Sequence, residues 1–355
     1  MLAWRPSFFR KVQRAPFMVR AAILGLGRWG RSLVNSVQGK SGDIQFVAAY
    51  TRTRATAESF CRDKGIPFVD SYAEVLADPA IDAVVLATPH SQHADQLRQA
   101  AAARKHIFVE KPMTLDLASA RDAAAAARKA GVMLAVGFCR RFHPSVVELR
   151  QRKADGRLGS VVAMVGQHTT STQSFLAADN WRSDPAEAPA GAMTAVGVHL
   201  LDHMIELGGQ VREVHCVTGV QGLGPAEDTT TILLDFVGGA TATIFCSVAT
   251  ATNFSFVVYG SKGLAEISGA SLQDFRFVPV SERAPDGPVT APPGERLDFG
   301  GFDMLNAEMT AFARAIVDKT PYPVPLTDVL HGMAVFDAVV ESAQTRKAVA
   351  VPKVP

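Results

Sequence analysis

Three glycines follow the first apolar run of the sequence at a spacing that could hold phosphate. They lie in Gly25-Leu26-Gly27-Arg28-Trp29-Gly30, which comes directly after a strand-like run and opens a helix-compatible stretch. The first glycine would permit a tight turn, the second a close backbone approach to a pyrophosphate, and the third close packing of helix on strand. The N–H groups and dipole of the helix start favour the same anion. This setting predicts a dinucleotide site; the alternative is a glycine turn without a ligand.

The end of the second apolar run bears on which dinucleotide binds. About 20 residues after such glycines, NAD enzymes usually place Asp or Glu to bind the ribose hydroxyls. This chain has Tyr50-Thr51-Arg52-Thr53-Arg54 instead. Thr51 could hydrogen-bond a 2′-phosphate, and Arg52 or Arg54 could pair with it. The segment favours NADP(H) and leaves NAD(H) possible; the arginines could also be solvated loop residues.

His199 and His203 could share one helix face as metal ligands because they stand four residues apart. The glutamate of an H-E-x-x-H motif is missing, and no third ligand stands at a suitable spacing. We therefore predict no metal.

The glycine segment belongs to a part of the chain that alternates short apolar runs with longer helical stretches. The runs lie at 19–25, 44–50, 81–87, 105–110 and 132–137 and are apolar on both faces, as parallel strands covered by helices require. The helical stretches between them include 54–64, 91–104 and 117–130. This order predicts a doubly wound Rossmann domain over residues 18–137.

After residue 137 the pattern changes to longer strands with alternating polarity, which predicts a mostly antiparallel sheet in an α+β domain over 138–355. Helical patterns at 143–152, 198–207, 304–317 and 327–343 would cover one face of that sheet. The other face would leave apolar surface in water, which favours a homodimer or homotetramer. Ser281 to Gly301 is rich in Pro and Gly and is expected to be a long loop or flap.

Composition limits the classes of function. The chain has 355 residues, 36 basic and 34 acidic side chains, and a net charge of +2, so it has no electrostatic footprint for nucleic acid. No apolar run approaches the roughly 20 residues that span a bilayer. Four scattered cysteines indicate reduced thiols and a cytoplasmic location. Residues 1–17 lack the apolar region of a secretory signal and are interpreted as a disordered arm or an over-extended start, or else as an amphipathic segment packed on the body.

Several short motifs resemble the glucose-fructose oxidoreductase and inositol 2-dehydrogenase family, from Met18 to the C-terminus. Glu110-Lys111-Pro112 after the predicted fourth strand is the most specific of them. The others are Thr88-Pro89-His90-Ser91-Gln92-His93, Gly137-Phe138, Arg141-Phe142-His143-Pro144, Trp181-Arg182 and Gly197-Val198-His199-Leu200-Leu201-Asp202. The resemblance implies an active site between the Rossmann crevice and the second sheet.

The resemblance makes Lys111 and His199 the catalytic pair. A lysine or histidine of near-neutral pKa could accept the proton that leaves a hydroxyl as hydride leaves carbon, and a partly desolvated cleft would lower the pKa of lysine toward that range. Cofactor contacts would come from the glycine segment with Arg28 and Trp29, from Thr51, Arg52 and Arg54, and from Thr88, Pro89, His93, Glu110 and Lys111. Substrate contacts would come from Arg141, His143, Trp181, Arg182 and Asp202, although the histidines, Trp181 and Asp202 could equally be structural.

One position departs from the family. Many members carry an aspartate four residues before the histidine, whereas this chain has Ala195. The expected function is NAD(P)-dependent oxidation or reduction of a sugar, cyclitol or related polyol. Two alternatives are a non-catalytic dinucleotide sensor, prompted by Ala195, and an elimination or glycoside cleavage by transient oxidation with bound cofactor.

Overall fold

The computed structural model describes residues 18–171, 180–221, 227–281 and 293–354. The predicted leader 1–17 lies outside these residues. Two β-sheets organise the described chain, and the predicted boundary between residues 137 and 138 falls after the last strand of the first sheet. That boundary stays a prediction.

The first sheet has five parallel strands in the order β2-β1-β3-β4-β5. They are β1 (Val19–Leu24), β2 (Ile44–Tyr50), β3 (Ala83–Leu86), β4 (His106–Glu110) and β5 (Leu134–Gly137). The chain order reverses between β1 and β3, which is where ligands bind in open α/β sheets. The Rossmann prediction is confirmed.

Five helices accompany this sheet: α1 (Arg28–Val37), α2 (Glu58–Asp63), α3 (Tyr72–Ala77), α4 (His93–Ala102) and α5 (Leu117–Ala130). The predicted helix 117–130 is present with both its bounds. The stretches 54–64 and 91–104 each begin with a short 3₁₀ turn before α2 and α4. Helix α3 was not predicted from the sequence, although the sequence contains a capping-box signal for it. The Ser71 side chain caps the helix by accepting a hydrogen bond from the N–H of Glu74.

The second sheet has nine strands, ordered β13-β12-β11-β10-β6-β9-β8-β7-β14, and it is antiparallel except between β6 and β9. Its strands are β6 (Val161–Ser171), β7 (Val211–Gly219), β8 (Thr229–Phe236), β9 (Thr241–Ser247), β10 (Ala249–Gly260), β11 (Gly263–Ser268), β12 (Asp274–Pro279), β13 (Glu295–Asp298) and β14 (Val349–Ala350). The predicted α+β class is confirmed. Strand β13 lies inside the predicted 281–301 loop and pairs with β12, so that prediction is wrong for the described part.

The remaining helices are α6 (Pro144–Ala154), α7 (Val198–Gly208), α8 (Met304–Asp318) and α9 (Leu326–Thr345). Helices α6, α7 and α9 contact the second sheet as predicted. Helix α8 instead packs on α1 and β2 of the first sheet. Its N-cap Asp303 accepts a 2.6 Å hydrogen bond from Ser36, and the Phe312 ring meets Phe108 at 5.6 Å. This helix therefore fastens the C-terminal half of the chain to the Rossmann sheet.

Candidate active site

The backbone of the glycine segment explains why each glycine is there. Gly25 has φ +90°, and a Cβ on it would lie 2.4 Å from the carbonyl oxygen of Ala87. A Cβ on Gly30 would lie 1.9 Å from the carbonyl oxygen of Gly25. Gly27 is the N-cap of α1, is exposed, and has no atom within 4 Å of its Cβ position. The open side of the turn is thus at Gly27, at a helix N-terminus suited to a phosphate.

The three residues after β2 that were predicted to bind a 2′-phosphate differ in their surroundings. Thr51 is half-buried and Arg52 is exposed. Arg54 is already engaged: its guanidinium lies 2.6 Å from Asp70 and 3.2 Å from Glu58. Because two carboxylates compete for it, Arg54 is a poorer phosphate ligand than predicted.

A cleft of about 320 Å³ opens beside the glycine segment and reaches the second sheet. That volume suits a small ligand. Eight of the predicted site residues line it: Arg28, Trp29, Thr88, Glu110, Lys111, Trp181, Arg182 and His199. The structure thus brings together side chains from five separate parts of the chain.

Lys111 follows the end of β4 and reaches across the cleft to the segment before α7. Its Nζ donates a 2.7 Å hydrogen bond to the carbonyl oxygen of Ala195. Burial lowers the pKa of Lys111 to about 8, and the neighbouring Glu110 carboxylate opposes that shift. Burial in turn raises the pKa of Glu110. Lys111 can therefore change protonation state near neutral pH, as a general acid or base requires.

His199 occupies the second position of α7 and also lines the cleft. Its Nδ1 is buried without a hydrogen-bond partner among the described residues. Burial, together with the charges of Lys111 and Arg140, lowers its pKa well below the usual value. His199 is therefore neutral near pH 7 and a weaker base than Lys111, suited to hydrogen-bonding a substrate oxygen.

Trp181 and Arg182 form one wall of the cleft. They lie in a 3₁₀ turn at Trp181–Ser183 that Asn180 caps. The guanidinium of Arg182 lies 4.0 Å from the centre of the Trp181 ring, and the centres of the Trp181 and His90 rings are 4.9 Å apart in a T-shaped arrangement. His90 was not among the predicted site residues, but it lines the cleft, whereas His93 does not.

His93 and Pro89 have structural rather than cleft-facing positions. The buried His93 ring lies with Nδ1 3.0 Å from the Pro112 carbonyl oxygen and Nε2 3.1 Å from that of Thr88. Pro89 caps the short 3₁₀ turn before α4. The His93 ring therefore joins the two loops that carry Thr88 and Lys111, which favours the structural alternative, and its cofactor contact stays a prediction.

Arg141, His143 and Asp202 were predicted to bind substrate, and the structure places them behind the cleft wall. Arg141 is 2 % exposed and holds the Asp202 carboxylate with two 2.7 Å hydrogen bonds. It also contacts Asp328 at 3.1 Å. His143 caps α6 by accepting from the N–H of Ser145. Their polar atoms are used in packing α6, α7 and α9, which favours the structural alternative for all three, and substrate contact by these residues stays a prediction.

Two cleft residues that were not predicted are Arg140 and His168. Arg140 is the neighbour of Arg141 in a 3₁₀ turn at Cys139–Phe142, where consecutive side chains point about 120° apart. His168 lies on β6, where alternation with Met164 and Gly166 places it on the face toward α7. The adjacent pair of arginines was the available signal, but the sequence could not say which of the two faces inward.

A phosphate-accepting glycine turn beside a lysine of lowered pKa, on a Rossmann sheet joined to an open antiparallel sheet, defines the class of dinucleotide-dependent oxidoreductases. Comparison with known families agrees: residues 19–138 match "Oxidoreductase family, NAD-binding Rossmann fold", and residues 146–266 match "GFO/IDH/MocA C-terminal domain". The chain belongs to the GFO/IDH/MocA family of oxidoreductases.

Three curated relatives are dehydrogenases. D-xylose 1-dehydrogenase (NADP⁺) 2 of Haloferax volcanii is 31 % identical over 92 % of this chain and 98 % of its own length. Scyllo-inositol 2-dehydrogenase (NAD⁺) of Bacillus subtilis is 39 % identical, but the match spans 42 % of this chain and 44 % of that protein. Trans-1,2-dihydrobenzene-1,2-diol dehydrogenase of Sus scrofa is 28 % identical over 72 % of this chain and 75 % of its own length. Both nicotinamide dinucleotides are represented among these names.

Solved structures share the fold over nearly the whole chain. Levoglucosan dehydrogenase in complex with NADH and levoglucosan superimposes with a TM-score of 0.84 at 20 % identity, covering 95 % of this chain and 100 % of that one. An oxidoreductase domain protein from Kribbella flavida gives a TM-score of 0.85 at 21 % identity, with coverage of 95 % and 100 %. At these identities, the comparison shows the two-domain architecture.

Proposed function

We propose that this protein is an NAD(P)-dependent dehydrogenase that interconverts a hydroxyl and a carbonyl group on a sugar, cyclitol or related polyol. The observation that carries the proposal is the position of Lys111, whose partly buried ammonium faces the same cleft as the open side of the glycine turn. The names of the relatives, which include sugar, inositol and diol dehydrogenases, support this substrate class.

The residues present fit a nicotinamide dinucleotide. Gly27 leaves open space at the start of α1, and Arg28, Trp29 and Thr88 continue that surface into the cleft. When bound, the nicotinamide supplies the acceptor or donor of hydride. Lys111 takes the hydroxyl proton in oxidation and returns it in reduction, while neutral His199 holds the substrate oxygen. Trp181 and Arg182 bind the rest of the substrate.

The proposed cofactor is NADP(H) in preference to NAD(H). Support comes from the missing carboxylate at the end of β2, from Thr51, and from the exposed guanidinium of Arg52. Arg54 contributes less to this argument because Asp70 and Glu58 already hold it.

The deciding experiment is calorimetric titration of the purified protein with NADPH and NADH. A panel of sugars, cyclitols and polyols is then assayed by the absorbance of the reduced nicotinamide. Turnover by the wild type, lost in Lys111→Ala with dinucleotide affinity retained, is the expected result. Dinucleotide binding without turnover of any panel member would indicate the sensor alternative. Chemical conversion without net change of nicotinamide absorbance would indicate transient oxidation.

We also propose a homo-oligomer formed through the outer face of the second sheet. Neighbouring strands place apolar side chains on that face with 37–51 % exposure, among them Val217, Leu233, Phe245 and Tyr259. Light scattering after size exclusion tests this directly. A cytoplasmic location is supported by the four cysteines, which are all buried and free. Among the described residues, no helix is long and apolar enough to cross a membrane.

A further inference from the structure

Arg140 is held rigidly at the cleft. Its guanidinium carbon lies 4.6 Å from the centre of the buried Phe254 ring, a cation–π arrangement, and its Nη2 lies 3.0 Å from Nε2 of His168. One face and one nitrogen of the guanidinium are thus fixed by the protein before any ligand binds.

The tautomer of His168 explains why that contact is attractive. Its Nδ1 lies 3.1 Å from the carbonyl oxygen of Val196, so Nδ1 carries the proton and donates it. Nε2 is then the acceptor for the N–H of Arg140. Burial and the charge of Arg140 lower the pKa of His168 to about 2, which keeps the ring in this neutral form. His168 therefore orients the guanidinium without neutralising it.

The other end of the guanidinium has no partner. Nη1 of Arg140 is buried and makes no hydrogen bond within the described ranges. Among all the residues that the structure describes, no carboxylate lies within ion-pair distance of Arg140. The adjacent Arg141, in contrast, contacts Asp202, Asp328 and Glu206. A buried cationic donor left unsatisfied is costly, and such groups normally have a partner, so a ligand or an ordered water in the cleft completes this one.

The rest of the cleft also suits an anion. Ala195 lines it next to the Lys111 ammonium, so no carboxylate at that position repels a negative group. Lys111 and Arg182 add positive charge to the walls of the cleft. Two acidic residues, Glu110 and Glu227, also line it. Glu110 is 7 % exposed and lies next to Lys111.

We propose that the substrate is a polyhydroxy acid, a sugar derivative carrying a carboxylate that Nη1 of Arg140 binds beside the reacting hydroxyl. This inference rests on the proposed dehydrogenase function and adds its substrate class. A carboxylate fits better than a phosphate because one amino group of this guanidinium, Nη1, lacks a partner among the described residues and the cleft is small. Arg140 selects the substrate, and Lys111 performs the proton transfer.

The test compares pairs that differ in one acidic group. The wild type, with its preferred dinucleotide, is assayed on D-gluconate against D-glucitol and on D-glucuronate against D-glucose. A charge-assisted hydrogen bond to a buried partner predicts a kcat/KM higher for the acid by about 10- to 100-fold in at least one pair. D-glucose 6-phosphate, assayed alongside, should be the poorer anionic substrate.

Variants then assign the preference to one residue. Arg140→Met should lower the acid-to-neutral ratio of kcat/KM toward one, and Arg140→Lys should restore part of it. Arg98→Met is the matched control because it removes an exposed arginine of α4 that does not line the cleft, and it should keep the wild-type ratio. Circular dichroism and thermal melting establish that each variant folds.

Calorimetry of the NADPH-loaded protein gives a readout that does not depend on turnover. D-gluconate or D-glucuronate should bind to the wild type at least tenfold more tightly than its neutral partner, and Arg140→Met should abolish the difference. Equal affinities and equal kcat/KM for acids and neutral polyols would overturn the inference while leaving the dehydrogenase proposal intact. A preference for the phosphate would also overturn it. Acid binding without oxidation of any compound would instead contradict the proposed function.

Discussion

The ammonium of Lys111 donates a 2.7 Å hydrogen bond to the backbone carbonyl oxygen of Ala195, which joins the end of the fourth Rossmann strand to the segment before α7. A carbonyl oxygen accepts this bond without carrying a charge. The lysine is therefore positioned by the second half of the chain, while its pKa stays lowered by burial.

The first prediction concerns pH. Only neutral Lys111 can accept a proton, so kcat/KM for alcohol oxidation should rise through a pKa of about 8 and level off above it. Carbonyl reduction needs the protonated form and should fall over the same range. Lys111→Ala should lower kcat by about 10²- to 10⁴-fold and remove the inflection. A pH–rate profile with the same inflection in Lys111→Ala would contradict the assignment.

The second prediction places a carboxylate beside the lysine. Ala195→Asp should move the inflection to higher pH, because a nearby negative charge favours the protonated ammonium. Ala195→Asn serves as the matched control because asparagine has nearly the size of aspartate but no charge. Its inflection is expected near the wild-type value. Equal profiles for the two variants would show that position 195 does not act on Lys111 electrostatically.

The third prediction separates two glycines of the same turn. Gly30→Ala should lower the free energy of unfolding by about 3 kcal/mol, because its Cβ would meet the carbonyl oxygen of Gly25 at 1.9 Å. Gly27→Ala meets nothing within 4 Å and should fold like the wild type, yet bind dinucleotide more weakly. Urea unfolding and calorimetric titration measure the two effects. Gly42→Ala is a control for both, since its Cβ position is also open.

The fourth prediction concerns the buried ion pair of Arg141 and Asp202. Asp202→Asn should lower the free energy of unfolding by about 3 kcal/mol, because a buried guanidinium loses its main carboxylate partner. Asp328→Asn should cost less, since that carboxylate is 29 % exposed. At temperatures where the variants stay folded, KM should be close to that of the wild type. A large rise in KM without loss of stability would instead indicate that Asp202 contacts the substrate.

The fifth prediction concerns the choice of dinucleotide. Arg52→Ala should weaken NADPH binding by about tenfold and leave NADH binding nearly unchanged, because a charge-assisted hydrogen bond to the 2′-phosphate is lost. Arg62→Ala removes another exposed arginine nearby and should change neither affinity. If the wild type bound NADH more tightly than NADPH, the preference for NADP(H) inferred from the residues after β2 would be refuted.

The local motifs were predictable because their physical causes act over a few residues. Gly25 and Gly30 occupy positions without room for a side chain, whereas Gly27 leaves open space for a ligand. The strands of the first sheet are apolar on both faces. The family resemblance rested on Glu110-Lys111-Pro112, which does end a strand at the cleft. Helix α5 agreed at both ends because Asp116 caps its start and Gly131 ends it with a positive φ.

The sequence by itself therefore determined the fold class and the glycine turn, since local spacing and apolar periodicity are sufficient for both, while the family resemblance pointed to the lysine. Only the tertiary structure decided which of two adjacent arginines faces the cleft, which of two histidines in one loop is buried, and which sheet α8 covers. Those choices depend on partners far away in the chain: Asp202 and Asp328 draw Arg141 inward, His168 and Phe254 hold Arg140 at the cleft, and Ser36 binds the cap of α8. Local pattern carries no record of such long-range pairing.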